Sequence, residues 1–135
     1  MAGTIVSDTL QDGAGNSTAT TNAIKGSAKV WINFNGNSGG TAINASYNVS
    51  SLTRNTTGDY TIGFTSGFAN TNYSLAGMSV GYASGNPAGV CVSLCGNSSY
   101  TAAPLGKNTG SVRVTTGQYN IATDSYDVSV VIFSN

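Results

Sequence analysis

Wherever this chain gathers large apolar side chains, it places them at every second position. In Ala28-Lys29-Val30-Trp31-Ile32-Asn33-Phe34, the residues Val30, Ile32 and Phe34 fall on one side, and Lys29, Trp31 and Asn33 on the other. Asp59-Tyr60-Thr61-Ile62-Gly63-Phe64 repeats the alternation, and Gly- and Asn-rich segments interrupt the pattern. A period of two describes a pleated strand, whereas the apolar face of a helix recurs about every 3.6 residues. Short strands with turn signals roughly every eight to twelve residues specify an all-β fold, here an antiparallel β-sandwich of jelly-roll-like form.

Composition narrows what such a fold can do. Gly, Ser, Thr and Asn fill half of the 135 positions, and only 7% of residues are charged: five basic residues and five Asp, with neither Glu nor His. A neutral chain with scattered cations offers no electrostatic footprint for nucleic acid. No apolar run approaches the ~20 residues of a membrane helix. The opening Met1-Ala2-Gly3-Thr4-Ile5-Val6 lacks the basic and apolar regions of a secretory leader. Without His or Glu, most hydrolytic zinc sites and acid–base pairs cannot be built, so the expectation is no enzyme, no cofactor and no metal. The scarcity of Val, Ile, Leu and Phe also predicts a thin core that gains from burying further surface in an oligomer.

Along the chain, residues 1–26 differ from the rest. Ile5, Val6 and Leu10 are followed by small polar residues that cannot cover a core, which predicts an extended N-terminal arm that docks on other surfaces. The sandwich is assigned to residues 27–135. Ile43, Ala45, Tyr47 and Val49 share one face of a second strand; Val49 to Phe64 reads as a hairpin turning at Asn55-Thr56-Thr57-Gly58. Tyr73 to Ala83 puts Tyr73 and Leu75 on one face and Met78, Val80 and Tyr82 on the other, with a bulge or close approach at Gly77 and Gly81. Strands follow at Gly89 to Cys95 and Ser111 to Thr116. The last, Asp127 to Phe133, is apolar on both sides near its end and reads as buried on both faces.

Trp31 is the residue that the alternation leaves open. It points away from Val30, Ile32 and Phe34, so either a second layer covers it within the monomer, or it packs in a subunit contact, or it meets a ligand. Cys91 and Cys95 lie about 13 Å apart along a continuous strand, too far for a disulfide, and read as two small thiols.

Few residues suggest chemistry. Asp124 and Asp127, with Asn120 nearby, form the closest carboxylate pair of the sandwich and fit loop solvation, a hard-cation site or a glycosidase pair. Gly106-Lys107-Asn108-Thr109-Gly110 departs from a phosphate-binding loop in its glycine spacing and in Asn108. N-x-[ST] triplets start at Asn16, Asn44, Asn48, Asn55, Asn72 and Asn97, about as often as this composition produces by chance. Carbohydrate recognition, through aromatic faces and amide and hydroxyl groups, is the binding chemistry that such a surface favours.

Ala28 to Gly36, Ala42 to Thr53, Gly58 to Phe64 and Ala122 to Phe133 together resemble, in order, a segment recurrent in tail-fibre and related virion structural proteins of tailed bacteriophages. The resemblance is weakest between residues 84 and 110. It implies a small β-sandwich-like virion module, often trimeric and often near a fibre tip, located in the virion and assembled in the host cytoplasm. Its partners would be copies of itself, other tail or capsid proteins, and host-surface carbohydrate, with no nucleic acid or membrane. With no coiled-coil or collagen-like stretch among these residues, the forms implied are a short tail fibre, a receptor-binding knob or a capsid decoration protein. Ile5, Val6, Leu10 and Trp31 are then the candidate docking or oligomer contacts. Tyr82, Asn86, Asn97 and Tyr100, on polar loops, are the candidate receptor contacts.

Overall fold

The computed structural model describes residues 3, 6–37, 39, 41–81, 89–93, 106–118 and 121–134, of which 81, 89–93, 118 and 121 are described by backbone alone. The alternating segments become β3 (Val30–Asn35), β4 (Ala42–Tyr47), β5 (Val49–Thr56), β6 (Asp59–Phe64), β7 (Ser74–Gly81), β8 (Gly89–Ser93), β9 (Ser111–Gln118), β10 (Ile121–Ala122) and β11 (Ser125–Phe133). Antiparallel pairing joins them in the order β4-β3-β11-β7-β8-β9-β6-β5, with β10 on β9. The sheet packs against itself as a sandwich, with β3 and β11 supplying one wall and β6 and β9 the other.

The core lies where the two walls meet. Val30, Ile32 and Phe34 from β3 and Val128, Val130 and Ile132 from β11 face Tyr60, Ile62, Phe64, Val112 and Val114. Phe34 meets the Tyr60 ring edge-on at 5.1 Å between centroids, and Phe64, Phe68 and Tyr73 close one end as a three-ring cluster. Burying a Val, Ile or Phe contributes about 1.5–3 kcal/mol, so these few residues carry most of the fold's apolar stabilisation.

The outermost strands, β4 and β5, are consecutive in the chain, with Asn48 alone between them. Asn48 adopts φ 57, the left-handed region that Asn tolerates better than most residues. Its amide donates to the carbonyls of Lys29 (3.1 Å) and Ser66 (3.0 Å), and its Oδ1 accepts from the Ser66 N–H at 2.7 Å. One side chain thus pins the corner where the chain passes between the walls. Here the expected sharing of one face by Ile43, Ala45, Tyr47 and Val49 fails: the register against β3 shifts between Ala45 and Ile43, β4 is exposed along its whole length, and Val49, beyond the corner, packs against the core.

Three other expectations are corrected. The hairpin at Val49 to Phe64 forms, but its strands run to Thr56 and from Asp59, leaving Thr57-Gly58 as the loop. Of the two positions foreseen for a bulge, Gly81 alone carries one: the register shifts between the Gly81–Ser125 and Val80–Asp127 pairs, with Tyr126 as the extra residue on β11, whereas pairing runs regularly through Gly77. β11 lies centrally, between β3 and β7, yet only its inner face is buried; Val131 is half-buried and Phe133 is 36% exposed on the other side.

The N-terminal segment is not extended throughout. β1 (Thr9–Gln11) pairs with β2 (Ser17–Ala19), and α1 (Thr20–Gly26) follows. The Asp12 carboxylate ties the turn by accepting from the Ala14 and Asn16 backbone and the Asn16 amide, and Gly15 supplies φ 86. At seven residues α1 is far shorter than the ~12–15 that an isolated helix needs. The Lys29 ammonium bonds to the Ile24 carbonyl and the Ser27 hydroxyl at its C-terminal end, where a cation is favoured. No side chain of the hairpin or the helix is buried.

Among the described residues, one buried side-chain group has no partner: the Ser125 hydroxyl, in a residue with 0% exposure. A buried unpaired hydroxyl costs about 1–3 kcal/mol, so Ser125→Ala is expected to leave stability unchanged or raise it by up to about 1 kcal/mol in urea unfolding. A clear loss would show that the hydroxyl is bonded after all.

Candidate functional site on the outer face of the sheet

Strand alternation gives β3, β11 and β7 a second face, and little covers it. Trp31 is 41% exposed, Met78 79% and Val80 65%. Of the alternatives that the sequence leaves open for Trp31, full cover by a second layer of the same chain is not provided by the described residues. Cross-strand register lines up Tyr47, Trp31, Val131 and Ala76 as one row, and Ala45, Asn33, Ser129 and Met78 as the next. Between them lies an open groove of about 580 Å³, floored by β11 and flanked by Trp31 and Met78.

A polar network crosses this apolar strip. The Asn33 amide donates to Asp127 Oδ1 and, at 2.9 Å, to the Ser129 hydroxyl; its Oδ1 accepts from the Asn44 amide at 2.8 Å. Asp127 is the sole carboxylate lining the groove, and no cation lies within ion-pair range of it among the described residues.

Both arginines and Lys107 are engaged elsewhere. Arg54 grips Asp124 through two hydrogen bonds, and Arg113 does the same to Asp59. Lys107 donates to the Tyr73 carbonyl at 2.6 Å, with its ammonium 5.1 Å from that ring's centroid. Burial pushes the Asp124 carboxyl up, but Arg54, the Gly58 N–H and the Tyr60 hydroxyl outweigh it and hold the group below its ordinary value. Asp59 behaves alike, its burial outweighed by Arg113 and Asn55.

Asp124 and Asp127 are thus not brought together. The first turns to Arg54, Gly58 and Tyr60 at one end of the sandwich, and the second to Asn33 on the outer face. Each carboxylate serves a hydrogen-bond network of its own, and no described donor is shared between them. No cluster of three or more His, Cys, Asp or Glu that could hold a metal occurs among the described residues.

Val6 (91% exposed) and Leu10 (47%) lie on the N-terminal segment, away from any buried cluster. Ile5, Tyr82, Asn86, Asn97, Tyr100, Asn120 and Cys95 lie outside the described residues. The reading from sequence missed Asn33, Asp127 and Ser129 as one group. Asn33 and Ser129 are 96 positions apart, and only the β3–β11 register makes them neighbours.

Comparison of the chain with protein-family models, with curated proteins and with solved structures finds no match.

Proposed function

We propose that the protein is a non-catalytic structural module of a tailed-phage virion, of short tail-fibre or receptor-binding type, which assembles as a homo-oligomer, a trimer by preference, and engages host-surface glycan. The observation that carries the reading is the uncovered strip bearing Trp31, Met78 and Val80. Contiguous apolar area left exposed on a soluble domain with a small core marks a contact surface. Asp59 and Asp124 are each committed to an arginine, as expected of structural carboxylates. The resemblance of the β3, β4, β6 and β11 segments to tail-fibre proteins supports the virion setting.

A second reading, a capsid decoration protein, draws on the N-terminal segment, where Val6, Leu10 and Ile24 present exposed apolar side chains. The two readings differ in stoichiometry. Quantitative mass spectrometry of purified phage particles is expected to find the chain at a few tens of copies for a fibre and at hundreds for a decoration protein. Its absence from particles would overturn both.

A further inference from the structure

The polar groups at the centre of the outer face are arranged for a ligand with hydroxyls more than for another apolar surface. Asn33 has used both amide protons, on Asp127 and Ser129, and its oxygen on Asn44. Both of its protons are committed, and their effect is to orient its neighbours. Asp127 is left with Oδ2 bonded to no donor among the described residues, and Ser129, already accepting from Asn33, is left with its own proton to donate. An acceptor and a donor thus stand two positions apart on one face of β11, drawn together by the single Asn33 nitrogen that both accept from, within reach of neighbouring hydroxyls on one sugar ring. Trp31 and Met78 provide the apolar walls beside them.

The charge balance decides between occupants. A second copy packed face to face would bring its own Asp127 and Lys29, but the Lys29 ammonium is already held by the Ile24 carbonyl and the Ser27 hydroxyl, and burying an uncompensated carboxylate costs several kcal/mol. The occupant has to supply hydrogen-bond donors to Asp127 and a C–H face to Trp31. A pyranose does both, with hydroxyls on its rim and C–H bonds on its flat faces. Charge-assisted hydrogen bonds of this kind are the strong ones, and the aromatic ring adds area without adding charge.

We propose that the groove between Trp31 and Met78 on β3, β11 and β7 is a binding site for a neutral carbohydrate, with Asp127 and Ser129 bonding to its hydroxyls, Trp31 stacking on its ring, and Asn33 as a positioning residue. This rests on the reading of the outer face as a contact surface, and it moves recognition from the loops carrying Tyr82, Asn86, Asn97 and Tyr100 to the sheet.

Trp31 is the sole tryptophan, so its fluorescence reports directly on the groove. Purified full-length protein titrated with neutral oligosaccharides of glucose, of galactose and of N-acetylglucosamine is expected to show a saturable emission change with at least one of them. Asp127→Asn should weaken that binding about tenfold while leaving the melting temperature unchanged. Trp31→Ala, followed by calorimetry, should abolish it. Emission that responds to none of the sugars, or binding that Asp127→Asn leaves intact, overturns the site. Emission that shifts with protein concentration and not with sugar also overturns it, and gives the face to a second copy. Because the titration needs no virion, a negative result with the chain present in particles refutes the sugar site alone. Sugar binding with the chain absent from particles refutes the virion reading alone.

Discussion

Gly58→Ala is expected to destabilise the sandwich by roughly 3–5 kcal/mol, through left-handed strain and overpacking together. Gly58 sits at φ 64, and a Cβ there would lie 2.5 Å from the Thr116 carbonyl oxygen and 2.6 Å from the Thr123 nitrogen. Both are backbone atoms, fixed by hydrogen bonds from the Thr116 N–H to the Gly58 carbonyl and from the Thr123 N–H to the Thr116 carbonyl. Neither can yield without opening the β6–β9 side of the sheet. For a domain of this size the melting temperature should fall by roughly 10–20 °C in calorimetry. Gly13→Ala, where nothing lies within 4 Å, is the control and should change little. A Gly58→Ala protein melting within a few degrees of the parent would mean that the loop repacks freely.

Asp124→Ala should rank second, at roughly 2–3 kcal/mol, because it removes the acceptor for the Gly58 N–H (2.8 Å) and the Tyr60 hydroxyl (2.9 Å). The Arg54 arm of the network stands nearer to solvent and adds less. The same network sets the response to pH. Asp59 and Asp124 have folded pKa values below the ordinary 3.8, so their contribution is complete above that value and is lost as pH falls through the depressed values. Tyr60 and Tyr73 move the other way, pushed up from 10.0 to about 12, chiefly by burial. Their contribution is complete below pH 10.0 and is lost as pH rises towards 12. With neither His nor Glu in the chain, stability in urea should be nearly flat from about pH 5 to about pH 9 and should fall on both sides. Asp124→Ala should shrink the acid limb. A parent protein whose stability changes steeply near neutrality would contradict this assignment.

Much of the scaffold was legible residue by residue. The alternation of Val30, Ile32 and Phe34 named the buried face of β3, and the hairpin between Val49 and Phe64 was located with its loop displaced by one or two residues. Met78 and Val80 were placed opposite Leu75, as the structure has them. The N-terminal hairpin escaped because its determinant is one Asp12 carboxylate bonding to the next few residues, with no apolar period to announce it. Asn48 escaped because an Asn before Val49 and Ser50 reads as an ordinary strand residue, while its role depends on the Lys29 and Ser66 carbonyls meeting at one corner.

The candidate site divides along the same line. Local periodicity determined that Trp31 points opposite to the β3 core residues, since successive side chains in a strand project to opposite faces whatever the fold. It did not determine whether that opposite face is covered, because cover comes from a layer built by distant parts of the chain. Tertiary pairing alone set Asn33 beside Asp127 and Ser129, and parted Asp124 from Asp127 by bringing Arg54 to it across 70 positions. The physical reason is range: strand formation follows from neighbours a few bonds away, whereas a binding face is made by register, and register is fixed only when the whole sheet closes on its core.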